Sequence, residues 1–298
     1  MSSVPRSILV PTDFSANAEH ALWYALRIAR WFDAEVHLVH IRLLLEGQRQ
    51  TEELQRELEL IEARSDELAI EALDRRASID DVVVHTHLVR GLSVSESLNE
   101  MATELACDLI VMGTHGRRGL RHLLLGSVAG EVLRTSTTQV ITVRESADTN
   151  ERDAGSILVP HDFSGRSKAA LEVARQWAQV LEVSITLLHV VEPLVYPEFY
   201  AVDVMPDDVL EKVEERSREA LQAAADEQLG DIPYTLEVVS GRAVETIVHA
   251  ARADRYDLVV MATRGLSGLE QLLLGSVAEG VVRRSEVPVL TVRWDEQA

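Results

Sequence analysis

Two short stretches of this chain carry residue types suited to holding a phosphate ester. Gly113-x2-Gly116-x9-Gly126-Ser127 follows an apolar run and leads into an amphipathic one. Gly113 and Gly116 would let the backbone turn tightly and approach a ligand without side-chain interference. Gly126-Ser127 would open a helix, where free N–H groups and the positive dipole end attract an anion and the hydroxyl adds a donor. The second stretch, Val10-Pro11-Thr12-Asp13, ends another apolar run and offers a carboxylate that can accept hydrogen bonds from a base or a sugar. Structural readings compete with each. Asp13 or Ser15 would cap a helix over Ala16 to Trp31, and Gly126 would end a short helix with Ser127 capping the next.

Both stretches occur twice, which lowers the weight of the structural reading for the glycine loop. Ser7-Ile-Leu-Val-Pro-Thr-Asp13-Phe-Ser15 returns as Ser156-Ile-Leu-Val-Pro-His-Asp162-Phe-Ser164, an offset of 149 residues. At the same offset Leu123-Leu-Leu-Gly126-Ser127-Val-Ala129 returns unchanged as Leu272-Leu-Leu-Gly275-Ser276-Val-Ala278, and His40 falls on His189. The second loop is Ala262-x2-Gly265-x9-Gly275-Ser276, with alanine for the first glycine. If Gly113 serves a positive φ or a close ligand, Ala262 weakens the second site. The first loop also carries His115, Arg117, Arg118, Arg121 and His122, against Arg264 before Glu270 in the second, so the first half should hold a triphosphate more tightly. His40 and His189, in apolar runs, are expected to be core histidines.

The elements that position these residues follow from apolar periodicity. Short β-branched runs alternate with longer amphipathic segments, as in a parallel sheet crossed over by helices. The first half predicts strands over Ser7 to Pro11, Val36 to Ile41, Val82 to Val89, Asp108 to Met112 and Gln139 to Val143, and the second half repeats all five. The longest predicted helix is Glu52 to Arg76. In such sheets ligands bind beyond the carboxyl ends of the strands where the strand order reverses, so the ends of strands one and four should converge. The polar stretch Glu145 to Ala154 has no apolar period and is expected to be a linker. The resulting division is a domain over 1–147, a linker over 148–154 and a domain over 155–298. A proline- and aromatic-rich segment, Glu192 to Pro206, has no counterpart in the first half and is expected to be a long loop.

Composition removes several function classes. Two domains fit a length of 298 residues. A formal charge of −20 repels a phosphate backbone and argues against a nucleic-acid partner. No window approaches the apolar length of a membrane helix, and Ile8-Leu9-Val10 is too short for a signal-peptide core, so a cytoplasmic location is expected. The single cysteine, Cys107, has no partner for a disulfide or a metal site and is expected to be buried at a helix end. The two lysines, Lys168 and Lys212, follow no glycine-rich loop, which excludes a Walker-type phosphate loop.

Taken together, Gly113-x2-Gly116-x9-Gly126-Ser127 and Val10-Pro11-Thr12-Asp13 resemble the universal stress protein family, in its ATP-binding subgroup, and the likeness covers nearly the whole chain twice. The resemblance implies an α/β fold of two tandem Rossmann-like domains of the adenine nucleotide alpha hydrolase-like type. Each would be a five-stranded parallel sheet of order 3-2-1-4-5 with helices on both faces. It implies an adenine nucleotide, ATP or else AMP or ADP, with Mg2+. Pro11, Thr12, Asp13 and Ile41 would surround adenine and ribose. Met112, Gly113, His115, Gly116, Gly126, Ser127 and Val128 would lie around ribose and phosphates. The matching second-half positions are Pro160, His161, Asp162, Val190, Met261, Arg264, Gly265, Gly275, Ser276 and Val277. His161 in place of Thr12 and Ala262 in place of Gly113 depart from the pattern. The resemblance further implies pairing of the two halves as an internal pseudo-dimer, with a homodimer of chains and a protein partner as further associations. The leading function is a nucleotide-dependent regulator in stress response. The alternatives are a slow ATP hydrolase, for which His115 is the one group near the loop able to position water, and an interaction protein that uses no nucleotide.

Overall fold

The computed structural model describes residues 4–43, 81–115, 125–144, 155–192, 207–252, 255–263 and 274–293. The chain divides into two compact units, one of them Pro5–Glu145 and the other containing Ser146–Ala298.

In the first unit the described elements run β1 (Ser7–Pro11), α1 (Ala16–Phe32), β2 (Glu35–Leu43), β3 (Val84–Gly91), α2 (Val94–Glu104), β4 (Leu109–Gly113), α3 (Ser127–Thr135) and β5 (Gln139–Val143). All pairings are parallel, in the order β3-β2-β1-β4-β5. The chain moves outward from β1 to β3 and then returns to the other side of β1, so the order reverses between β1 and β4. Consecutive residues of a strand point to opposite faces, and Ile8, Leu9 and Val10 are all fully buried, as are Ile110 and Val111. Both faces of the central strands are therefore covered, which is why these strands are unbroken apolar runs.

The second unit repeats the plan with β6 (Ser156–Pro160), α4 (Gly165–Leu181), β7 (Ile185–Val191), α5 (Asp207–Gln228), β8 (Tyr234–Ser240), α6 (Ala243–Ala250), β9 (Tyr256–Ala262), α7 (Ser276–Arg284) and β10 (Val289–Val292). Its order, β10-β9-β6-β7-β8, reverses between β6 and β9.

Strand bounds differ from the sequence expectation chiefly at β3, which starts at Val84 rather than Val82 and continues to Gly91. Asp81 sits at φ 77°, so the chain is still turning where the apolar pattern placed the start of the strand. Cys107 is buried just after α2, as expected. The predicted helix Glu52 to Arg76, the linker 148–154 and nearly all of the loop Glu192 to Pro206 lie outside the described residues. Among the described residues no helix is long and apolar enough to cross a membrane.

Candidate functional site

The carboxyl end of β1 turns into α1 through four residues that satisfy one another. Thr12 N–H donates to Val39 C=O at 2.8 Å, which extends the sheet by one step. Phe14 N–H donates to Thr12 Oγ1 at 3.0 Å and Ser15 N–H donates to Asp13 Oδ1 at 3.0 Å. These two side-chain turns hold Phe14 at φ 63°, a left-handed conformation costly for a bulky residue. The helix cap is Ser15, whose Oγ accepts from Ala18 N–H. Asp13 is thus not the cap; one of its oxygens fixes the turn. His40 closes the arrangement from β2: its Nδ1–H donates to Thr12 C=O at 2.7 Å, and its ring lies 4.6 Å from that of Phe14. His40 is therefore not the core histidine expected from its apolar strand, because it is only half-buried and braces the strand end.

The glycine-rich loop leaves β4 beside this turn. Gly113 ends the strand in an ordinary extended state and is not at positive φ, which among described glycines is found at Gly230. A Cβ at Gly113 would stand 3.0 Å from Asn17 C=O on the first turn of α1. This glycine lets α1 approach the strand, a packing role, and the positive-φ turn expected from sequence is not found there. The excursion that follows is tied at its base, since Gly126 N–H donates to Thr114 C=O at 2.8 Å and Thr114 N–H to Val143 C=O at 3.0 Å. A Cβ on Gly126 would stand 3.0 Å from that same Thr114 oxygen. His115 Nδ1 lies 2.9 Å from Thr114 Oγ1.

Beyond the tie, α3 starts with a bare N-terminus. Gly126 is the N-cap residue, and among the described residues no side chain caps the helix. Ser127 is the first helical residue, exposed, and not a cap as one sequence reading allowed. The first helical bond runs from Gly130 N–H to Gly126 C=O. The N–H groups of Ser127, Val128 and Ala129 therefore precede it and point out of the helix end with its partial positive charge. Such an end accommodates an anion.

The second unit reproduces this geometry. Ser164 N–H donates to Asp162 Oδ1 at 3.1 Å, Phe163 sits at φ 64°, and His189 Nδ1–H donates to His161 C=O at 2.8 Å. His189, like His40, is a half-buried brace and not a core residue. Gly275 N–H donates to Thr263 C=O at 2.8 Å, and α7 begins at Ser276 with Gly275 as an N-cap that lends no side chain. Two differences carry chemistry. His161 takes the place of Thr12 and accepts Phe163 N–H at Nδ1, so the neutral ring carries its proton on Nε2. That Nε2 is buried with no hydrogen-bond partner among the described residues. Burial, with smaller contributions from His189 and Lys168, holds the pKa of His161 down to about 4 against the pull of the Asp162 carboxylate. The second difference is Glu279 in the first turn of α7, where α3 has Gly130 and no acidic residue. Its carboxylate partly cancels the positive helix end that an anion would use.

Of the residues singled out by sequence, Pro11, Thr12 and Asp13 stand at the end of β1, and Met112, Gly113 and His115 at the end of β4, the neighbouring strand. Gly126, Ser127 and Val128 form the start of α3, and Ile41 lies near the carboxyl end of β2. Pro160, His161, Asp162, Val190, Met261, Gly275, Ser276 and Val277 take the matching places in the second unit. Gly116, Arg117, Arg118, Arg121, His122, Arg264 and Gly265 lie outside the described residues.

Fold and strand-end geometry together define a tandem, doubly wound α/β protein with a glycine-capped helix start at each switch point. The model of the universal stress protein family matches this chain over residues 5–144 and again over 154–293. A universal stress protein of Methanocaldococcus jannaschii is 34% identical over 142 residues, spanning 47% of this chain and 82% of that protein. One from Mycobacterium bovis is 28% identical over 236 residues, spanning 78% of this chain and 76% of its own length. The crystal structure of a universal stress protein from Archaeoglobus fulgidus superposes with a TM-score of 0.67 at 20% identity, covering 98% of this chain and 99% of that one, a likeness of fold. The chain belongs to the universal stress protein family, as a tandem of two such domains.

Proposed function

We propose that this protein binds an adenine nucleotide, ATP or its lower phosphates with Mg2+, and acts as a nucleotide-dependent regulator in stress response. The observation that carries this reading is the uncapped start of α3, tied to the end of β4 by the Gly126–Thr114 bond and set beside the Asp13 turn on the adjacent strand. Both features recur at α7 and Asp162. The phosphates would take the N–H groups of Ser127 to Ala129 and the Ser127 hydroxyl. The carboxylate of Asp13, with Thr12 and Ile41, would face ribose and base. The domains would run over 1–147 and 155–298, joined by 148–154, each with its own site. The Glu279 carboxylate supports weaker binding in the second, whereas Ala262 does not, because a Cβ at the equivalent Gly113 is directed toward Asn17 on the first turn of α1.

Equilibrium dialysis of labelled Mg-ATP against the full chain tests this, with Gly126→Val and Gly275→Val removing the sites separately. The expected result is saturable binding, the tighter class lost in Gly126→Val and the weaker in Gly275→Val. Absence of saturable binding, or binding indifferent to both variants, would overturn the reading and leave an interaction protein that uses no nucleotide.

A further inference from the structure

At the opposite, amino-terminal ends of β2 and β3, the first unit gathers three imidazoles and a carboxylate. Glu35 and His37 share one face of β2, and His85 and His87 share the corresponding face of β3, with His37 and His85 directly paired across the strands. His37 Nε2 lies 3.4 Å from Glu35 Oε1, and His85 Nε2 lies 3.4 Å from Glu35 Oε2. The two rings stack with centroids 5.1 Å apart. On its other side, His37 Nδ1 is 3.0 Å from His87 Nε2.

The fold does not demand this group. In the duplicated unit the same positions are Ser184, Thr186, Thr235 and Glu237, and the strands pair in the same register. Nor are the contacts to Glu35 good hydrogen bonds, which for N–H to oxygen are shorter. A separation of 3.4 Å instead matches the edge of a tetrahedron whose ligands lie about 2.1 Å from one ion. His37 Nδ1 is engaged by His87, so in the tautomer with the proton on Nδ1 the lone pair of His37 Nε2 is directed at the space beside a Glu35 oxygen, where a cation would be held by both. Among the described residues no group of three such donors stands placed to hold a metal ion without side-chain movement. The approach is pairwise, one imidazole to each carboxylate oxygen. The side chains of His85 and Glu35 are 48% and 46% exposed and can swing to a common centre.

We propose that Glu35, His37 and His85 bind one divalent transition-metal ion, zinc being the best match, with His87 orienting His37 and water completing the shell. The site is independent of nucleotide binding and stands or falls separately.

The test is calorimetric titration of the chelator-treated full chain with zinc alone. One ion per chain is expected, with affinity reduced at least about tenfold in His85→Ala and in Glu35→Gln, less severely in His87→Ala, and unchanged in Glu237→Ala. Zinc should also raise the melting temperature of the wild type and leave that of His85→Ala where it is. Because His85 and Glu35 are half-exposed, their variants fold without zinc, which a melt in chelator verifies. No saturable binding, or equal binding by wild type and both variants as an adventitious ion would give, overturns the proposal.

Discussion

Replacing His161 by threonine copies the first unit into the second and should remove a pH dependence of stability. The neutral ring is buried, and its pKa is held to about 4 in the folded state against an ordinary value of 6.5. The folded pKa is the lower one, so the unfolded chain takes up the proton first as pH falls. Stability is complete above pH 6.5, declines between pH 6.5 and about 4, and is level below that. Each pH unit inside the window costs about 1.4 kcal/mol, so the loss between pH 7.5 and pH 5 is about 2 kcal/mol. A threonine at this position would accept Phe163 N–H through its hydroxyl, as Thr12 accepts Phe14 N–H, and has nothing to titrate. Urea unfolding of wild type and His161→Thr at the two pH values isolates the effect as a double difference. Any constant packing cost of the smaller side chain cancels. A difference below about 0.5 kcal/mol would show that His161 does not stay neutral in the folded chain, and would refute the placement of its Nε2–H in a buried site without a partner.

Other substitutions separate structure from binding. Ser15→Ala removes a side-chain cap and should cost about 1 kcal/mol in thermal or urea unfolding. Ser127→Ala removes none and should stay within about 0.5 kcal/mol while weakening nucleotide binding; an equal loss of stability in both variants would contradict the assignment of Gly126 as the cap. Gly113→Ala sets a Cβ against Asn17 and should destabilise by about 1 to 3 kcal/mol with nucleotide affinity little changed, measured by unfolding and dialysis together. Glu279→Gln should raise second-site affinity by about two- to fivefold at low salt, an increase that added salt removes; no change at low salt would show that the carboxylate does not reach the helix end.

The central strands and the duplication were legible because burial on both faces leaves a plain record: an apolar run such as Ile8-Leu9-Val10, bounded by polar and turn residues, fits little besides a strand covered on both sides. The start of α3 was legible for a similar local reason, a glycine followed by a hydroxyl residue and an amphipathic period. What sequence left ambiguous depends on contacts between distant residues. The contact of Gly113 with Asn17, on a helix that packs over it, could not be read from a strand-end glycine alone. His40 looked like core because its strand is apolar, whereas its ring reaches back to the Thr12 carbonyl. Phe14 at positive φ has no sequence signal, since glycine or asparagine normally marks that conformation. The cluster at Glu35 could have been noticed from Glu35-x-His37 and His85-x-His87, both at strand period, but their union needs the register of β2 on β3.

If the bare start of α3 seats the phosphates, its first amides must be protected by the ligand, and amide hydrogen exchange across that turn examines this most directly. With saturating Mg-ATP, the N–H groups of Ser127, Val128 and Ala129 should slow markedly relative to the nucleotide-free chain, and those of α2 should not. Unchanged exchange at these three amides in a chain that demonstrably binds ATP would contradict the placement of the phosphates there.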